Sequence, residues 1–174
     1  ADIPAHIRAL AAEGAIGIYH HGTQTDRFWK AGKIEQARQM LKVIRDSGVQ
    51  VGLGTHIPEV IDYAEEKGWD LDFYMASVYN LSEPGPQAGG ELFRDDDRPK
   101  MLERLRRTLK PCLIFKVYGA GRKCGSPQAM REALSLVAAY AKPSDCVVIG
   151  MYPKASEQVF ENCRLFREAF SAAS

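Results

Sequence analysis

The sequence predicts an α/β fold built on a parallel sheet. Five short apolar runs are each followed by a segment of helical periodicity, and successive runs lie roughly 25 to 40 residues apart, about the length of one strand–helix unit. Each run also ends in polar residues: His20-His21, Thr55-His56, Tyr79-Asn80, Lys116-Val117-Tyr118 and Tyr152-Pro153-Lys154. In parallel α/β folds the loops after the C-terminal strand ends share one face, so residues distant in sequence converge there on one site.

The elements follow in order. Ile3 to Ala12 reads as a helix, with Ile7 and Leu10 spaced i, i+3 and Gly14 as a stop. Ala15 to Tyr19 is the first strand, Gly22 to Ala31 a loop, and Lys33 to Asp46 a helix with Ile34, Ala37, Leu41 and Ile44 on one face. Val49 to Leu53 is the second strand; Pro58, suited to a first turn, opens a helix ending before Gly68. Phe73 to Val78 is the third strand. A Pro/Gly-rich loop, 81–90, follows it in a chain whose other connections are short, as binding loops often do.

A helix over Arg98 to Leu109, a strand over Cys112 to Val117 and a glycine-rich turn, Gly119 to Arg122, come next. Helices over Pro127 to Ala141 and Ser156 to Ser171 flank the fifth strand, Cys146 to Gly150. Asp95-Asp96-Asp97 suits the N-terminus of the helix it precedes. Five units complete a doubly wound sheet but leave a (β/α)8 barrel three short. The opening helix, with no strand and no Met before it, favours the C-terminal five units of a barrel as a single partial domain over residues 1–174.

Composition narrows the function. With 23 basic and 22 acidic side chains the net charge is +1, which gives no global attraction to nucleic acid or an anionic membrane. Arg104, Arg106, Arg107 and Lys110 read as a solvated helix face. No apolar stretch approaches the roughly 20 residues that span a bilayer, and no signal core opens the chain, so a soluble, cytoplasmic protein is expected. The four cysteines form no C-x-x-C pair. Cys112 and Cys146 read as buried strand residues, and Cys124 as an exposed thiol without a neighbouring base.

The span from Ala15 to Asn162 resembles the C-terminal five units of the aldo-keto reductase superfamily of NADPH-dependent barrels. Ile18-Tyr-His-His-Gly22 is similar to that family's fourth-strand Leu-Leu-His-Trp-Pro, and Leu71 to Asn80 to its sixth-strand Gln-x-x-Tyr-Asn segment. Lys33 to Gly54 looks like its helix, Gly and fifth strand; Phe115 to Gly121 resembles its seventh-strand Ala-Tyr-Ser-Pro-Leu, and Ile149 to Asn162 its cofactor-phosphate loop. The resemblance implies a carbonyl or alcohol oxidoreductase. His20 or His21 would orient the substrate, Tyr118 would stack on a nicotinamide, and Arg122, Lys154, Ser156 and Asn162 would hold the rest of NADP. The family's Asp, Tyr and Lys come from strands this sequence does not contain, and its carboxamide ligands are replaced by Gly54, Thr55 and Ala76. The resemblance therefore implies a divergent member, inert alone, whose partners are a small-molecule substrate and either an N-terminal barrel half or a second copy of the chain.

The residues also support other chemistries. Alternation along one strand turns only one of His20 and His21 inward. His21 and His56, at adjacent strand ends with Asp26 or a residue of the missing barrel half as a carboxylate, suit a divalent metal, although no spaced ligand motif supports it. Lys116, inside an apolar strand, is either a charge-balanced interior lysine or the amine of a Schiff-base lyase. His56, Asn80 and Trp29 are expected to contact substrate. A hydrolase or lyase without nicotinamide, and a non-catalytic barrel fragment, are the alternatives to the reductase.

Overall fold

The computed structural model describes residues 2–83, 85, 90–152, 154 and 157–172. The elements are α1 (Ile3–Ala12), β1 (Gly17–His20), α2 (Gly22–Lys30), α3 (Glu35–Arg45), β2 (Gln50–Thr55) and α4 (Pro58–Glu66), then β3 (Phe73–Ser77), α5 (Asp97–Arg107), β4 (Cys112–Phe115), α6 (Pro127–Ala138), β5 (Cys146–Val147) and α7 (Gln158–Ser171). Local chemistry sets several of these starts. Asp2 and Ser126 cap α1 and α6 by accepting from the Ala5 and Ala129 amides, each with proline in the first turn.

All five strands run parallel in the order β1-β2-β3-β4-β5. A doubly wound sheet would reverse its order at a switch point, and this one does not. Burial divides the two faces. Val51, Leu53, Tyr74, Ala76, Cys112 and Ile114 are fully buried beneath Leu41 and Ile44 of α3, Val60 and Ile61 of α4, Leu102 and Leu105 of α5, and Leu134 of α6. Their alternates, Tyr19, Phe73, Met75, Leu113 and Phe115, remain half-buried or exposed. The core thus lies between the sheet and a single layer of helices.

At the N-terminal strand ends the polar contacts are structural. The Arg45 guanidinium spans Asp70 and Asp72 at 2.8 Å, and Asp72 also accepts the Val51 amide at 2.7 Å, tying β2 to the start of β3. Burial works to raise the Glu65 carboxyl, but hydrogen bonds from Thr108, Tyr74 and Lys110 outweigh it and hold it below its ordinary value.

Four expectations change. Residues 22–30 form α2 rather than a loop; its buried residues are Gly22, Thr25 and Asp26, so no apolar stripe marked it. Arg104 is buried beside Asp62 instead of lying on a solvated face. Cys146 is exposed, because β5 is a short edge strand. The Asp95–Asp97 run makes no side-chain cap; Asp95 bonds Lys123 and Tyr79, while Asp97 accepts the Asn80 amide. Among the described residues no helix is long and apolar enough to cross a membrane.

Candidate active site

β2 ends in Thr55, and the chain turns there into α4. The Thr55 hydroxyl accepts the Ile57 amide at 3.0 Å and donates to Asp26 Oδ1 at 2.6 Å, so one side chain fixes the turn and anchors α2. Asp26 Oδ2 lies 2.7 Å from His56 Nδ1, and the His56 amide faces both carboxylate oxygens at 3.2 and 3.3 Å. A carboxylate only accepts hydrogen bonds, so Nδ1 carries a proton, and in the neutral form of the ring the lone pair is on Nε2. Asp26 is buried, the His56 side chain is nine-tenths buried, and Nε2 meets no partner among the described residues. Phe115 packs edge-on against the imidazole at 5.9 Å, which together with Asp26 fixes its plane.

His56 borders a cavity of about 260 Å³ at the strand ends, together with Tyr19, His21, Gly54, Phe115 and Lys116. The Lys116 ammonium lies 2.7 Å from Glu91, a residue of the β3–α5 connection, and 5.5 Å from the centre of the Phe93 ring. Lys116 was expected inside a strand; β4 instead stops at Phe115, and Lys116 takes a left-handed backbone with φ of 59°. Glycine occupies that region freely, whereas a lysine there is strained. Lys116→Gly is therefore expected to be about 1 kcal/mol more stable than Lys116→Ala, read from urea-unfolding midpoints.

The two neighbouring histidines separate. His21 stacks with Tyr19 at 6.4 Å and joins the cavity. His20, expected as an alternative substrate-orienting residue, turns to the helix side, where it stacks on Phe28 and sits 2.7 Å from the Thr25 hydroxyl. Burial, helped by the nearby His21, lowers its pKa to about 4. Below an unfolded value near 6.5 the denatured chain takes up this proton and the folded chain resists it. Stability is thus expected to be complete above that value and to fall by about 3 kcal/mol as pH drops to 4. Urea titrations across that interval should show the slope, and His20→Phe should flatten it.

The remaining predicted residues disperse. Trp29 packs edge-on to Tyr63 of α4 at 5.6 Å, in the helix layer rather than at the cavity. Asn80 borders a second, outer cavity of about 350 Å³ with His56, while its Oδ1 accepts from the Ser82 amide and hydroxyl. Tyr118 lines a cleft of about 720 Å³ beyond the C-terminal ends of β4 and β5, yet its hydroxyl is spent on buried Asn162 at 2.8 Å, and burial pushes its pKa up to about 12. Arg122 lies 3.9 Å above the Phe93 ring and donates to the Gly119 carbonyl, so packing against the β3–α5 connection occupies it. Lys154 is exposed, and Ser156 lies outside the described residues.

No protein-family model matches the chain, and no curated protein matches it. Among the described residues no three His, Cys, Asp or Glu side chains cluster as a metal site. Asp26, weighed in the sequence as a metal carboxylate, is committed to His56 and Thr55. Burial pushes the Cys124 thiol up, and the Glu161 charge adds to it, so the sulfur is a poor nucleophile at neutral pH.

Proposed function

We propose that the five units belong to a closed (β/α)8 barrel and carry an acid–base site of the isomerase or lyase class. The observation behind this reading is the buried Asp26–His56 pair at a cavity that Lys116 also lines. Nε2 removes a proton from a carbon next to a substrate carbonyl; the C–H electron pair becomes the C=C bond of an enolate, and the carbonyl electrons pass to oxygen. That oxygen's negative charge faces Lys116, and the imidazolium formed is stabilised by Asp26. Return of the proton to carbon or oxygen completes an isomerisation. The ion pair with Glu91 marks Lys116 as a cation of the site and favours this electrostatic role over that of a Schiff-base amine.

The wash-in of deuterium from D2O into a panel of small aldehydes, ketones and oxo acids, followed by proton NMR, tests the proposal. Wild-type protein should label at least one compound, and His56→Gln should slow labelling roughly 10²–10⁴-fold, the usual reach of general acid–base catalysis. Unchanged labelling in His56→Gln would remove His56 from the reaction.

One observation favours an NADP-dependent reductase as a second reading: the 720 Å³ cleft and the His56 cavity share Met75, Phe115 and Lys116 as a common wall. The residues fit that cofactor poorly. Thr55 is spent on Asp26, Ala76 offers no polar atom, and Arg122 is spent on Phe93 and Gly119, so no step is assigned through it. A fluorescence titration with NADPH distinguishes the readings, saturable binding supporting the reductase.

A further inference from the structure

The α2 helix begins at this cavity. Its first two residues, Gly22 and Thr23, line the wall, and neither amide meets an acceptor among the described residues, although Gly22 is buried. His21, at the cap position, makes no side-chain cap bond. The positive end of the helix dipole and these two N–H groups therefore lie at the wall of one small space. A second observation points to a ligand there: the nine-tenths buried His56 borders the same cavity with an unpartnered Nε2. Lys116 brings a cation to it, and the carboxylate now on Lys116 belongs to exposed Glu91.

We infer that this cavity takes a small ligand bearing an oxyanion, with the anionic oxygens on the Gly22 and Thr23 amides and Lys116 released from Glu91 to meet them. Glu91 occupies the place of the ligand's charge and competes with it. About 260 Å³ falls below the ~300–1,000 Å³ of drug-sized sites, which limits the ligand to a compact acid or phosphate ester. The inference rests on the proton-transfer reading and adds its substrate class: the carbonyl compound worked on by His56 carries a negative charge.

Titration of nitrogen-15-labelled protein with inorganic phosphate, with pyruvate and with uncharged acetone tests it. Saturable shifts of the Gly22 and Thr23 amides are expected with at least one anion and not with acetone; phosphate alone would assign a phosphate ester, and pyruvate alone a carboxylate. Glu91→Gln, on an exposed loop, should tighten anion binding about tenfold, and Lys116→Met should weaken it by a similar factor. No saturable shift with either anion in Glu91→Gln, an equal response to acetone, or binding indifferent to Glu91→Gln would overturn the inference. The His56 ring nitrogens are read in the same samples. If Nε2 keeps its lone pair while no anion binds, the proton-transfer reading stands and the anion assignment alone falls.

Discussion

Asparagine at position 26 is expected to leave the chain folded and to remove the basic nitrogen of His56. An asparagine matches the shape of the aspartate but presents an NH2 group beside an oxygen. Its oxygen is drawn to the Thr55 hydroxyl, which donates at 2.6 Å, so the NH2 faces His56 Nδ1. The ring then answers by accepting at Nδ1 and moving its proton to Nε2, which no longer abstracts anything. Carbon-bound proton exchange should fall roughly 10³–10⁴-fold, the scale on which a wrong imidazole tautomer disables a histidine base. Stability should fall by about 1–3 kcal/mol, because the His56 amide loses part of a charge-assisted acceptor. Asp26→Ala is expected to cost more, about 3–5 kcal/mol, since Thr55 and two nitrogens of His56 lose their buried partner.

Alanine at Gly54 should be the most damaging single methyl group near the site. A Cβ there would sit 2.7 Å from the Gly22 nitrogen and 2.8 Å from the His20 carbonyl oxygen, both main-chain atoms at the β1–α2 junction. Neither moves without pushing α2 away from β2, which would also draw Asp26 off His56. A loss of about 3 kcal/mol in urea unfolding is expected, with proton exchange falling alongside it. Gly17→Ala provides the contrast. Its Cβ approaches the Phe73 ring edge at 3.2 Å, a side chain on the more open face of the sheet, and should cost under about 1 kcal/mol.

The sheet was legible because its strands are apolar runs closed by polar residues, and because helices α3, α4 and α6 carry apolar residues at helical spacing. α1 was read to its observed limits, Ile3–Ala12. α2 escaped because its buried side is made of Thr25 and Asp26, which hydrogen bonds rather than apolarity hold inside. His56 was legible as a strand-end histidine. Asp26 was legible beside it only as a carboxylate for a metal; the direct hydrogen bond between the two was not, since Asp26 lies thirty residues earlier on a helix no periodicity announced. Glu91 was equally hidden, one carboxylate on an irregular loop meeting Lys116 across twenty-five residues. Lys116 itself was placed one residue too far into β4, because the run Leu113 to Val117 reads as strand on both sides of it. Only the positive φ shows that the chain has already turned. Arg122 and Asn162 matched positions in a sequence pattern, but their observed bonds are internal, to Phe93 and Gly119 and to Tyr118.

The protonation of the His56 ring decides whether the site is a base held ready by Asp26. Two-bond nitrogen-15 to proton correlation spectra of the labelled chain at pH 8 report it without a substrate. A base held ready by Asp26 shows a protonated Nδ1 in a strong hydrogen bond and an unprotonated Nε2, with the two nitrogens exchanging roles in Asp26→Asn. A proton on Nε2 in the wild-type protein, or a ring averaging freely between tautomers, would contradict it.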